Sequence, residues 1–177
     1  MIDWESCRSS HDLEALADRC CRKSIDIEVL LDALFRLSPK HRVQQYAAYT
    51  LLKVHRRCPD MLDPHLSRLV NLLRLPSGER HVAIPRQVFA VLQDREIPEE
   101  LAGEVFAKAV DTFLEKREPI AARARALDCC VNVAGQYEGL WEEVRELALS
   151  IDELESAGMQ SVKRRALKQW SLRSDAG

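Results

Sequence analysis

Apolar residues recur three and four positions apart along almost the whole chain, which is the spacing of one face of an α-helix. The pattern is clearest in four groups: Leu13, Leu16 and Ala17; Leu30, Leu31 and Leu34; Leu66, Leu69 and Leu73; Val105, Ala109 and Phe113. No segment alternates between apolar and polar residues in the manner of a half-buried strand. The periodicity therefore predicts an all-α fold.

Interruptions of this pattern fall at Pro and Gly residues, which mark turns. Pro39, Pro98 and Pro119 each stand at a predicted helix start, where the missing backbone N–H costs little. Between the breaks the pattern predicts nine helices, at residues 11–23, 25–37, 39–57, 62–75, 80–94, 99–116, 119–134, 139–156 and 159–172.

The predicted helices repeat with a period of about forty residues. Val43, Ala83, Ala122 and Val162 occupy equivalent positions in the second helix of four consecutive helix pairs. Two apolar columns follow from this alignment, namely Leu51, Val91, Cys130 and Trp170, and Ala48, Val88, Leu127 and Leu167.

The repeat also predicts how the chain is organised. We expect one domain overall, with a repeat region over residues 25–172. Its four helix pairs are 25–58, 59–96, 97–135 and 136–172. Residues 1–24 form an additional N-terminal helix that caps the pairs, and residues 173–177 form a tail.

The second helix of the last pair contains the run Val162-Lys163-Arg164-Arg165-Ala166, and this run in a pair of about forty residues resembles the HEAT-like repeats, which are related to armadillo repeats. The family's basic position after the first Val is kept at Arg123 and Lys163, whereas Gln44 and Ile84 occupy it in the first two pairs. The resemblance implies a right-handed α-solenoid of about four helical pairs with an N-terminal capping helix. It also implies that the second helices line the concave surface.

Composition narrows the class of protein. The chain has 177 residues, of which 46% are hydrophobic and 31% charged, so it can bury a core without a metal or disulfide. The 26 basic and 28 acidic residues leave a net charge of −2, which excludes a highly charged disordered chain. This balance gives no overall electrostatic drive toward nucleic acid or membranes.

The charge is nevertheless unevenly distributed, because the second helices are net positive and the first helices net negative. Arg86, Arg125 and Arg165 recur at one repeat position, with spacings of 39 and 40 residues. Arg and Tyr are enriched at binding hot spots. The candidate partner surface consists of Tyr46, Tyr49, Lys53, Arg86, Phe89, Arg125, Arg165 and Lys168. In the alternative interpretation, the aromatic rings pack on neighbouring helices and the basic side chains form a solvated face.

No catalytic motif is present in the sequence. There is no phosphate-binding loop, no Gly-x-Ser-x-Gly and no His-Glu-x-x-His. The one cluster of metal-type residues, His55, Cys58 and His65, lacks a fourth ligand at a usual zinc spacing. We therefore predict no cofactor, no metal and no small-molecule substrate.

The acidic start lacks the apolar segment of a signal peptide, and no run approaches the length of a membrane span. These features predict a cytoplasmic protein that does not bind membranes. Its six cysteines are then expected to be free thiols, as is usual in a reducing compartment.

Together these features predict a non-catalytic protein–protein interaction scaffold, whose basic and aromatic inner surface binds an acidic protein or peptide. Stacked helical pairs offer the extended surface that such binding requires. The alternative is a nucleic-acid-binding protein, because the HEAT-like resemblance extends to alkylpurine DNA glycosylases, which hold duplex DNA in a basic concave face.

Overall fold

The computed structural model describes residues 2–4, 6–7, 9–36 and 42–174, and no strand occurs among them. This part of the chain forms nine α-helices: α1 (Ser10–Cys21), α2 (Ile27–Phe35), α3 (Arg42–Arg57), α4 (Leu66–Leu73), α5 (Ala83–Leu92), α6 (Glu99–Leu114), α7 (Ile120–Gln136), α8 (Trp141–Leu149) and α9 (Ala157–Ser174). Two short 3-10 helices, Pro59–His65 and Glu138–Leu140, precede α4 and α8. The predicted all-α class is confirmed.

Local side-chain chemistry accounts for several helix starts. The Ser9 hydroxyl accepts a hydrogen bond from the Asp12 amide at 3.2 Å, and the Asp12 carboxylate accepts one from the Ser9 amide at 2.8 Å. This reciprocal capping satisfies two otherwise unpaired donors at the start of α1. Pro98 and Pro119 precede α6 and α7 directly, as predicted. The predicted helix start at Pro39 lies outside the described residues.

The helix predicted over residues 62–75 is wrong at its start. A 3-10 helix spans Pro59–His65, and the α-helix begins only at Leu66. Pro64 lies inside the 3-10 helix. It has no backbone N–H to donate to an α-helical hydrogen bond, so the tighter helix persists until the proline has been passed.

The helix predicted over residues 139–156 ends early, at Leu149. The Asp152 carboxylate accepts a hydrogen bond from the Leu154 amide at 2.8 Å. Such local side-chain bonds compete with the helical hydrogen bonds and favour a turn. A polar turn therefore separates α8 from α9.

The chain divides into two compact units, residues 1–91 and 92–177. In the first unit α1 and α2 both pack against α3, and α4 contacts α2. Its core is built from completely buried leucines on α2, α3, the 3-10 helix and α4: Leu30, Leu31, Leu34, Leu51, Leu62, Leu69 and Leu72.

Ion pairs connect α1 to α3 in the same unit. Glu14 pairs with both Lys53 and Arg57, and Asp18 lies 2.9 Å from the Arg57 Nε. Because Glu14 and Asp18 are four residues apart, they lie on one face of α1. The acidic face of α1 is therefore matched to the basic end of α3.

In the second unit α6 packs against α7, α8 packs against α9, and α7 also contacts both α8 and α9. Its core contains Val105, Ala109, Phe113, Leu127, Val133, Val144 and Val162. The end of α7 also holds the connection between α5 and α6. The Asn132 side chain donates to the carbonyls of Leu92 and Arg95, and the Tyr137 hydroxyl donates to the Ile97 carbonyl at 2.7 Å.

Three side chains at one position of the predicted repeat perform one structural task. Each donates a hydrogen bond to a carbonyl at or just beyond the end of the preceding helix: Gln44 to Leu34 (3.1 Å), Arg123 to Phe113 (2.9 Å) and Lys163 to Ile151 (2.7 Å). Carbonyls at helix ends lack intrahelical partners, so these bonds satisfy groups that would otherwise need water. At the fourth equivalent position Ile84 is apolar and fully buried.

The two predicted apolar columns are buried in the first three helix pairs. Leu51, Val91 and Cys130 are inaccessible to solvent, while Trp170 at the end of that column is half-buried. The second column behaves in the same way, with Leu167 half-buried in the last pair. Within the part of the chain that the structure describes, no helix has the length and apolar composition of a membrane span.

Candidate functional site

Exposed basic side chains gather where α7 and α9 pack together in the second unit. We define the α7–α9 basic surface by Arg125 on α7 and by Arg164, Arg165 and Lys168 on α9. Arg164, Arg165 and Lys168 are exposed, and Arg125 is half-buried. Helix α9 as a whole contains five basic residues and no acidic residue. The sequence correctly predicted that this helix would present a basic face.

One carboxylate organises the surface. Arg165 holds Asp128 through two hydrogen bonds from one guanidinium nitrogen, at 2.7 and 2.8 Å to the two carboxylate oxygens. Arg165 also donates to the Ser161 hydroxyl at 3.0 Å. On the other side of the carboxylate, Arg125 lies 3.9 Å from Asp128 and donates to the Gln93 side chain at 3.0 Å.

Asp128 thus draws together two of the three arginines that recur in the predicted repeat. A single negative charge does not neutralise four basic side chains, so the surface keeps a positive excess. The contacts also restrict the rotamers of Arg125 and Arg165, which lowers the entropy that a partner must remove on binding.

The predicted residues of the first unit differ in their exposure to solvent. Arg86 is exposed, although every other residue of α5 is buried. Tyr46 and Tyr49 are half-buried on α3, so each presents part of its ring to solvent. All three side chains are therefore accessible to solvent, wholly or in part.

Two members of the predicted surface need correction. Phe89 is completely buried, so the prediction that its ring faces a partner is wrong. It lies on α5, a helix enclosed on nearly all sides, where periodicity does not distinguish an outer face. Lys53 contacts α1, donating to Glu14 and to the Ser10 hydroxyl. Its charge therefore serves helix packing within the unit.

A second feature, which the sequence did not predict, is a cleft of about 680 Å³ in the first unit. It lies among the end of α1, the turn into α2 and the 3-10 helix, and its lining includes Cys20, Cys21, Ile25, Cys58, Met61 and His65. At one side, His65 Nδ1 lies 3.2 Å from a Glu28 carboxylate oxygen, and Glu28 also pairs with Arg68.

Two partly accessible thiols line this cleft. All six cysteines are free, and Cys21 and Cys58 are the two that are half-buried rather than buried. Burial raises the pKa of Cys21 to about 12, and a hydrogen bond with the Cys58 side chain adds to the increase. Burial also raises the pKa of the neighbouring Cys20 to about 11.

Backbone geometry positions Cys21 at the end of α1. Lys23 adopts a left-handed conformation with φ of 56°, and the Ser24 amide donates to the Arg19 carbonyl at 3.0 Å. This is the hydrogen bond of a Schellman motif, which ends a helix and reverses the chain. Cys58 stands directly before the 3-10 helix, so both thiols lie at helix boundaries.

Sequence reasoning missed this pair because Cys21 and Cys58 are 37 residues apart. The repeat period was the signal that could have found it. Several hydrogen bonds join residues separated by nearly the same interval, such as Asn132 with Leu92.

The cluster of His55, Cys58 and His65 does not form a metal centre in the structure. Over the described ranges, no three His, Cys, Asp or Glu side chains converge as a metal site would require. Cys58 lines the cleft instead, and His65 contacts a carboxylate.

Comparisons with known proteins do not assign this chain to a family. No family model, no curated protein and no solved structure matches it.

Proposed function

We propose that the chain is a HEAT-like repeat protein, in which four helical pairs form a right-handed α-solenoid preceded by a capping helix. Three observations support this. The pairs α2 with α3, α6 with α7 and α8 with α9 each pack as neighbours in sequence. Gln44, Arg123 and Lys163 carry out the same helix-end contact at one repeat position. Hydrogen bonds also recur between residues about one repeat apart, as from Asn132 to the Leu92 carbonyl and from Tyr137 to the Ile97 carbonyl.

The function we infer is that of a non-catalytic interaction scaffold, which uses the α7–α9 basic surface to bind an acidic segment of a partner protein. The observation that carries the proposal is the pair Arg125 and Arg165 held around the single carboxylate of Asp128. Arginines in this arrangement present planar donors that match carboxylate groups. Arg164 and Lys168 extend the positive surface by exposed charges.

Asp128 also favours a protein partner over nucleic acid. A phosphate backbone carries closely spaced negative charges, and one of them would have to approach the Asp128 carboxylate. An acidic peptide can place its side chains beside Arg164 and Lys168 and leave Asp128 paired. Nucleic-acid binding is therefore the competing outcome of the test.

The test measures binding of the full chain to a fluorescently labelled oligoglutamate peptide, to duplex DNA and to single-stranded DNA by fluorescence anisotropy at two salt concentrations. We expect the peptide to bind, and we expect R164E/K168E to weaken it more than about tenfold, because two attractive contacts become repulsive. A matched control reverses two exposed charges of the same unit outside this surface, in K116E/R117E.

Circular dichroism verifies that both variants keep their helices. Equal peptide affinity in the wild type and in R164E/K168E would contradict the proposed surface. Tight DNA binding that weakens steeply with salt would instead assign the surface to phosphates.

A further inference from the structure

Cys21 and Cys58 differ from the other four thiols in their accessibility. Cys7, Cys20, Cys129 and Cys130 are buried. Cys21 and Cys58 are partly accessible, and both line the cleft of about 680 Å³. A small molecule that enters the cleft can therefore reach both sulfurs.

The fold holds the two thiols together through contacts on both sides. Along α1, the carboxylates of Glu14 and Asp18 pair with α3, and Asp18 precedes Cys21 by less than one helical turn. On α3, Arg57 receives both carboxylates and is the residue directly before Cys58. The ion pairs therefore fix the end of α1 against the end of α3, close in sequence to Cys21 and Cys58.

We propose that Cys21 and Cys58 form a reversible disulfide, oxidised by a small disulfide of the glutathione class that enters through the cleft. The two thiols line one cleft, at helix ends that the ion pairs of Arg57 hold together, so the bond requires their side chains to rotate to the sulfur–sulfur length of about 2 Å. The bond would join the ends of α1 and α3 and close a loop that includes α2. This proposal does not depend on the proposed scaffold function.

The chemistry proceeds by two exchanges. One cysteine, as its thiolate, attacks the small disulfide, forms a mixed disulfide and releases one small thiol. The second cysteine then attacks the protein sulfur of that mixed disulfide and releases the other small thiol. Each cysteine loses one proton, the protein gives up two electrons, and the oxidant becomes two thiols.

The environment predicts slow oxidation at neutral pH. Burial and the contact with Cys58 raise the pKa of Cys21 to about 12, so its thiolate is scarce. While the pH stays below the pKa, the fraction of thiolate rises about tenfold for each unit by which the pH increases. The rate of disulfide formation should rise with pH in the same way.

The experiment equilibrates the folded full chain in glutathione buffers of increasing oxidised fraction, quenches with acid, alkylates and analyses it by mass spectrometry. We expect the oxidised chain to carry two fewer alkyl groups than the reduced chain, and its peptide map to contain the linkage of Cys21 to Cys58. Addition of excess reduced glutathione should restore the original mass.

Variants make the assignment specific. C21S and C58S should each lose the internal linkage and retain one glutathione adduct, because no second thiol resolves the mixed disulfide. C20A removes the adjacent buried thiol and should still form the linkage. Mixed disulfides alone in the wild type, a Cys20–Cys21 linkage, or no oxidation in the most oxidising buffer would overturn the proposal.

Discussion

At the scale of single residues, the structure explains what the basic repeat position does. Arg123 donates to the end of α6, its guanidinium lies 5.8 Å from the centre of the Phe113 ring, and it approaches Glu155 at 3.5 Å. Lys163 performs the first of these tasks for α8. A basic residue that sequence alone places in a charged layer thus turns inward to complete a helix end.

The residue scale also shows why the candidate surface was only partly predictable. Helical periodicity correctly placed Arg86 and Arg165 on exposed faces. Periodicity did not predict that Lys53 pairs with Glu14 of α1. That contact arises because α1 covers one side of α3, which depends on tertiary packing. Asp128 was visible in the sequence, but its role between Arg125 and Arg165 depends on how α7 and α9 pack.

The burial of Cys129 and Cys130 predicts how the stability of the fold changes in alkaline solution. Burial raises the pKa of both Cys129 and Cys130 above the ordinary value of 9.0. Below pH 9 both folded and unfolded chains keep these protons. Above it the unfolded chain releases them first, so the free energy of unfolding should fall by about 1 kcal/mol per pH unit for each thiol.

Urea unfolding at neutral and at alkaline pH measures this slope. The variant C129A/C130A should lose stability at neutral pH yet decline less steeply as the pH rises. L127A provides the control, since it weakens the same core and keeps both thiols. Identical alkaline slopes for the double variant and L127A would show that other groups cause the decline.

At the scale of helices, the sequence predicted which helices exist and in what order more accurately than it predicted the residues at which they begin and end. All nine predicted helices have counterparts among the described residues, because each has a long apolar stripe. The first residues of α6 and α7 were predictable because a proline directly precedes each helix. The early end of α8 was not, because it depends on a local hydrogen bond of Asp152 that competes with the helix.

The end of α1 carries a measurable backbone strain. Lys23 has a positive φ of 56°, where a side chain with a Cβ is disfavoured by about 1 kcal/mol relative to glycine. K23G should therefore raise the free energy of unfolding by about that amount. K23A is the control, since it removes the charge and keeps the Cβ, and it should leave stability within about 0.5 kcal/mol. Equal effects of the two variants would attribute the change to the lysine side chain.

At the scale of the whole molecule, the division into two units coincides with a helix rather than a linker. The first unit ends at Val91, and α5 continues to Leu92. The Leu92 carbonyl accepts from the Asn132 side chain at 3.0 Å within the second unit. Helix α5 thus ends one residue past the division. In the proposed solenoid, neighbouring repeats would stabilise one another.

The proposed stack therefore predicts that damage in one unit spreads to the other. L51A truncates a fully buried side chain of the first unit and should cost about 2–5 kcal/mol. If α5 couples the units, L51A should accelerate hydrogen exchange in peptides from α7 as well as α3, measured by mass spectrometry on the full chain. L167A removes a half-buried side chain at the far end and should perturb α9 with little effect on α3. Unchanged exchange in α7 of L51A would mean that the two units unfold independently, and would contradict a single cooperative array.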